Sequence, residues 1–217
     1  MIAHHRRVRD LRRRWRKIDR LSGNPILLRS GSSRDEHQIQ LQLPEPGGAP
    51  AVALQAHHCA ARDQTIARVG LKLLAFLLFA RERLQIEVNL HDDNIPFLPD
   101  LVQLDYELRP ALWVECGECS LSKLNKLAVK VPEAEIWIVK KSPADAEHLL
   151  RAMEREELRR NRYGVVALDP DGFEEVCAHL QPRNEVTWFG ADFADGSTMQ
   201  FDLNGLWYEL PFRLMRY

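Results

Sequence analysis

Apolar and polar positions alternate along His37–Leu43 (HQIQLQL), the pattern of a half-buried strand. A Pro/Gly loop from Pro44 to Pro50 separates it from a second strand, Ala51–Ala56, placed to pair with it. The period then changes. Ile66, Val69, Leu73, Phe76, Leu77 and Ala80 recur at helical spacing, and Leu74 and Leu78 widen the stripe. This predicts a helix from about Asp63 to Arg83, buried on most sides. Lys72 interrupts its apolar run, Val69–Ala80, which Arg68 and Arg81 bound.

A short strand, Ile86–Leu90, leads into a polar loop with Asp92, Asp93, Asn94, Pro96 and Pro99. Strands near Val102–Leu108 and Ala111–Cys116 follow, then a helix from about Ser120 to Lys130. Glu135–Val139 (EIWIV) reads as a central strand. Ser142-Pro143 opens a further helix, with serine at the cap and proline in the first turn, ending near Asn161–Gly164. Tyr163–Leu168 is a strand and Asp171–Leu180 a helix. Two or three antiparallel strands close the chain, and Asn204-Gly205 between MQFDL and LWYEL is a hairpin signal. The expected fold class is α/β with a mixed sheet, its middle ordered helix, three strands, helix, strand, with added N- and C-terminal strands. Trp113, Trp137, Trp188 and Trp207 fall on strands and read as core or sheet-face residues.

At 217 residues, one well-packed domain is expected. The net charge of -1 averages two unlike parts. Among residues 1–20, nine Arg or Lys stand against Asp10 and Asp19, a balance of +7 that leaves -8 to the rest. Residues 1–36 read as a basic leader and linker, expected to be disordered, and 37–217 as a single domain. The leader is a phosphate-gripping arm, a solvated tail, the product of an upstream start, or an Arg-rich targeting segment. No secretory h-region follows it, and no apolar run is long enough for a membrane span. Four cysteines without a signal sequence point to a reducing, cytoplasmic setting.

The candidate chemistry lies between Asp105 and Lys126. With Arg109-Pro110-Ala111 as a three-residue loop, position i pairs with 220 - i. Asp105 then faces Glu115 on one side of the sheet, and a two-residue loop would separate them. Two carboxylates with Cβ atoms ~5 Å apart repel unless a cation lies between them, and such oxygen donors favour Mg²⁺ or Mn²⁺. Asp105 and Glu115 are thus the expected metal ligands. Lys123 and Lys126, three apart on the following helix, would supply charge to a phosphoryl transition state. Solvated carboxylates on an exposed strand face are the alternative. Asp100, after Pro99, spells the letters PD and ranks behind Asp105. His91-Asp92-Asp93 reads as a polar loop.

Three segments carry a family resemblance. Leu73-Leu74-Ala75-Phe76 with Ala80 through Gln85 resembles the first core helix of the YaeQ family. Leu112-Trp113-Val114-Glu115-Cys116-Gly117 is similar to its apolar-Trp-apolar-acid-x-Gly strand, and Lys123-Leu124-Asn125-Lys126 to its basic helix start. The resemblance implies a PD-(D/E)XK nuclease-like core and a Mg²⁺- or Mn²⁺-dependent phosphodiesterase acting on nucleic acid. Carried over, Glu115 matches the strand acid and Asp105 the preceding acid. The superfamily's acid-x-Lys lysine falls at Gly117, which moves that role to the helix, where Lys126 is the best match. Gln64 and Ala67 stand where the family's first helix has acids. These departures leave an alternative, a catalytically inactive nuclease-fold protein that binds nucleic acid or a protein partner.

Cys116-Gly117-Glu118-Cys119 supports a third reading. A CxxC at a strand-to-helix junction suits a redox pair, or a zinc site completed by His57, His58 and Cys59. The preceding order is not the βαβ of a thioredoxin-like unit.

Overall fold

The computed structural model describes residues 38–42, 51–55, 62–81, 83–181 and 183–217. The basic leader and the His57-His58-Cys59 group lie outside the described residues. Ten strands and four helices are found among those described, in the order β1 (Gln38–Gln42), β2 (Ala51–Gln55), α1 (Arg62–Leu78), β3 (Leu84–Ile86), β4 (Leu101–Leu104), β5 (Pro110–Cys116), α2 (Leu121–Lys130), β6 (Glu135–Lys140), α3 (Pro143–Arg155), β7 (Tyr163–Leu168), α4 (Pro170–His179), β8 (Arg183–Ala191), β9 (Thr198–Leu203) and β10 (Leu206–Arg216). The expected helix, three strands, helix, strand order is α1 through β6. No helix among the described residues is long and apolar enough to cross a membrane.

The strands form one mixed sheet in the order β2-β1-β8-β9-β10-β7-β6-β5-β4-β3. β5, β6 and β7 run parallel, as do β1 and β8. The other neighbouring pairs are antiparallel. Strand alternation divides the interior in two. Leu112, Val114, Cys116, Trp137 and Val139 pack with α1 and α4 residues such as Leu73, Leu77 and Phe173. Trp113, Ile136, Ile138 and Val165 pack with Leu124 and Leu127 of α2 and Leu149 and Met153 of α3. Glu115, between Val114 and Cys116, therefore points to the α2/α3 side.

Helix ends follow their local chemistry. Ser120, Ser142 and Asp169 cap α2, α3 and α4, each side chain accepting an N–H of the first turn. Asn204 and Gly205 turn β9 into β10 with φ of 55° and 82°, the left-handed pair a tight hairpin requires. α1 stops at Leu78, earlier than its periodicity suggests, and α3 stops at Arg155. Left-handed residues follow both, Arg83 at φ 63° and Glu157 at φ 49°. Of the tryptophans, Trp113 and Trp137 are fully buried. Trp207 is half exposed and packs beside Phe189, ring centroids 4.8 Å apart.

The β4–β5 connection differs from its expected form. Leu101, Val102 and Gln103 pair with Val114, Trp113 and Leu112, so position i pairs with 215 - i. Residues 105–109 form the loop in place of the three-residue turn. Asp105 builds it: its Oδ1 accepts the N–H groups of Glu107 and Arg109 at 2.8 and 2.9 Å. Its own N–H donates to the Arg109 carbonyl at 2.8 Å. An aspartate that satisfies the backbone two residues ahead is an Asx-turn, which ends the strand at Leu104.

Candidate functional site: an acid pair with its lysines

Glu115 lies near the carboxyl end of β5 and is 4% exposed. A carboxylate is costly there unless its oxygens find donors. The indole N–H of Trp113 donates to Oε1 at 2.6 Å, and Lys123 Nζ lies 2.7 Å from Oε2. Lys123 comes from the first turn of α2, and its N–H donates to the Ser120 cap at 3.2 Å. Its ammonium also donates to the Leu98 carbonyl at 3.2 Å and lies 6.0 Å from the Phe97 ring centroid. Burial, and then the negative charge of Asp100, hold the Glu115 carboxyl above the usual glutamate range, although Lys123 and Trp113 pull it down.

Asp100 stands one residue before β4. Continuing the observed register sets it opposite Glu115, the place that the 220 - i pairing gives to Asp105. It is 5% exposed. Its Oδ2 accepts the backbone N–H of Cys116 at 2.7 Å, and its Oδ1 lies 2.9 Å from Lys72 Nζ and 3.6 Å from Arg68 Nη2. Lys72 reaches it from α1 and is also ion-paired with Glu87, just beyond β3. Burial alone would lower Lys72; Asp100 and Glu87 outweigh it and hold the ammonium above its usual range.

The structure thus brings Glu115 and Lys123 together and adds Asp100, Lys72 and Glu87. It does not bring Asp105 to Glu115. Asp105 Oδ2 is clamped by the Arg109 guanidinium, with two contacts of 3.1 Å, and the turn's N–H groups hold its carboxyl below the usual range. Lys126, one helical turn after Lys123, is exposed. Lys72 and Glu87 did not emerge from the sequence as site residues. The signal for Lys72 was present: a lone cation inside the apolar run Val69–Ala80 must find an anion if that helix is buried. Glu87 carries no comparable signal; its φ of 48° aims it from an irregular loop.

The CxxC cysteines are poorly suited to redox work. Cys116 is buried against α1, and burial pushes its thiol well above the ordinary value. Burial, reinforced by Glu115, pushes Cys119 up to about 12. Both thiols are free.

No curated protein matches the chain. Solved structures do. A YaeQ protein from Xanthomonas axonopodis pv. citri is 25% identical, with a TM-score of 0.55 over 83% of this chain and 97% of that one. A YaeQ protein from Pseudomonas syringae shares 14% identity, with a TM-score of 0.57 over 84% and 96% of the two chains, and shows the likeness of fold alone. The YaeQ protein family model matches residues 55–190, which include α1, the Asp100–Glu115 pair and Lys123. The chain belongs to the YaeQ family.

Proposed function

We propose that Asp100, Glu115 and Lys123 form a nuclease-like site directed at the phosphodiester of a nucleic acid, on a PD-(D/E)XK-type core. The observation that carries this reading is that two nearly buried carboxylates, Glu115 on β5 and Asp100 just before β4, are linked through the Cys116 N–H, with a helix lysine on each. Asp100 follows Pro99, so the acid motif reads Pro-Asp, then Glu115 on the next strand. In this arrangement Asp100 takes the role that spacing gave to Asp105, and Lys123 the role given to Lys126.

The donor set suits Mg²⁺ or Mn²⁺. Both acids offer hard oxygens, and a cation would offset both the burial that mainly raises Glu115 and the smaller repulsion from Asp100. Among the described residues, no group of three or more His, Cys, Asp or Glu is arranged to hold a metal ion by itself. Asp100 and Glu115 would therefore share an ion with water and substrate phosphate, an arrangement usual for Mg²⁺. When bound, such an ion acidifies a water and takes up charge on the phosphate. Lys123 supplies further positive charge beside Glu115, Trp113 fixes the carboxylate's orientation, and Lys72 holds Asp100 against α1.

One observation favours the silent-scaffold alternative. Lys72 and Lys123 already neutralise the two acids, and so suffice for a purely structural cluster. Cleavage of labelled single- and double-stranded DNA and RNA, with and without Mg²⁺, separates the readings. Metal-dependent cleavage by the wild type, reduced at least about 100-fold in Glu115→Gln, is expected of the nuclease. No cleavage of any substrate, or equal cleavage by both proteins, leaves the scaffold.

A further inference from the structure

Beside the acid pair, a cavity of about 240 Å³ opens between the start of α2 and one face of α3. Glu118, Cys119 and Ser120 line it from the β5–α2 connection, Asp145 and His148 from α3, and Lys140 from the end of β6. Lys140 is 4% exposed. Its one hydrogen-bond partner among the described residues is Glu118, at 3.2 Å, whose side chain is 97% exposed. A buried ammonium with three donors is costly unless well paired, and a carboxylate standing fully in water is a weak partner. If that one contact opens, Lys140, which lines the cavity, keeps no side-chain partner among the described residues.

The position of Lys140 connects this cavity to the site already described. Glu115 pairs with Ile138 across the parallel strands β5 and β6, so Lys140 lies two residues further along on the same sheet face. Cys119, on the cavity wall, feels the charges of Glu115, Lys123 and Lys140 together. Ser120 begins α2 with no acid in the first turn, so the positive end of that helix adds to Lys140, while Asp145 lies in the first turn of α3. Ligands in α/β sheets bind beyond the carboxyl ends of parallel strands, where this cavity sits.

We propose that the Lys140 cavity is a subsite for a phosphate group, with Lys140 as its positioning cation and Glu118 as the carboxylate that a phosphate displaces. Resting on the reading under Proposed function, the phosphate is one that flanks the diester held at Glu115. The subsite fixes which stretch of the nucleic acid lies against Asp100, Glu115 and Lys123.

The test titrates inorganic phosphate, and separately a short single-stranded oligodeoxynucleotide, into the full chain without metal. The proteins are the wild type, Lys140→Gln and Glu118→Gln. Lys140→Gln is expected to weaken both ligands about tenfold, the loss of one charge-assisted contact. Glu118→Gln removes the competing carboxylate and is expected to strengthen both. Its exposed position keeps the proposal testable even where Lys140→Gln fails to fold. A phosphate effect without an oligonucleotide effect supports a subsite for free phosphate and overturns its assignment to the nucleic acid chain. Phosphate affinity unchanged in both variants, or no phosphate binding by wild type and Glu118→Gln alike, overturns the subsite itself. Because no cleavage is measured, a failure of the nuclease reading is read separately.

Discussion

Asp100 Oδ2 accepts the backbone N–H of Cys116 at 2.7 Å, tying the residue before β4 to the one that follows Glu115. The bond fixes the spacing of the two acids through the backbone, independently of the lysines. The lysines set the charge balance: Lys72 for Asp100, Lys123 for Glu115.

Lys72→Met is expected to destabilise the fold by about 3 kcal/mol, measured by chemical denaturation, because it strands Asp100 at 5% exposure. Adding Asp100→Asn should recover part of the loss, since the uncompensated charge is then gone. The ammonium's folded pKa is raised, so its stabilising contribution is complete below about 10.5 and is lost as pH rises through the folded value. The wild type should lose stability relative to Lys72→Met in that alkaline window.

Glu115 has the opposite sign from a typical surface carboxylate. Its folded pKa is raised above the ordinary 4.5, so the favourable contribution is present below that value and disappears as pH rises through the folded pKa. Glu115→Gln should therefore gain stability relative to the wild type as pH increases from just below 4.5 through the raised value. Denaturation midpoints at a series of pH values measure this, and a difference that runs the other way would show that Lys123 dominates over burial.

Cys119, pushed up to about 12, should alkylate with iodoacetamide at pH 8 at least about tenfold more slowly than the thiols of the unfolded chain. Mild oxidant should form no Cys116–Cys119 disulfide. Fast alkylation or a ready disulfide would restore the redox reading of CxxC.

Gly164 is a packing requirement rather than a turn. A Cβ there would come within 2.4 Å of the Trp137 ring, which lies across it from the paired position on β6. Gly164→Ala is expected to cost about 1–3 kcal/mol in denaturation, since a buried indole has little room to move. A neutral substitution would mean that Trp137 repacks.

Much of the element order was legible because period and punctuation agree. EIWIV, the Ser120 and Ser142 caps and the Asn204-Gly205 turn each state a local rule that packing reinforces. The Glu115–Lys123 meeting was legible for the same reason, as a short connection joins their strand and helix. The identity of the second acid was not. It depends on the length of one turn, and Asp105 satisfies a strand pattern and an Asx-turn equally well until its N–H partners are seen. A shift of register from 220 - i to 215 - i replaces Asp105 by Asp100. Lys72 and Glu87 needed tertiary information, because α1 and the loop after β3 meet only in the folded chain.

The most direct test of the acid pair is calorimetric titration of Mn²⁺ into the wild type, Asp100→Asn and Asp105→Asn. Both variants keep the side-chain shape, and neither removes a lysine. Binding by the wild type, weakened about tenfold or more in Asp100→Asn and unchanged in Asp105→Asn, is the expected result. Undiminished binding in Asp100→Asn, loss in Asp105→Asn, or no binding by the wild type would contradict a metal site built on Asp100 and Glu115.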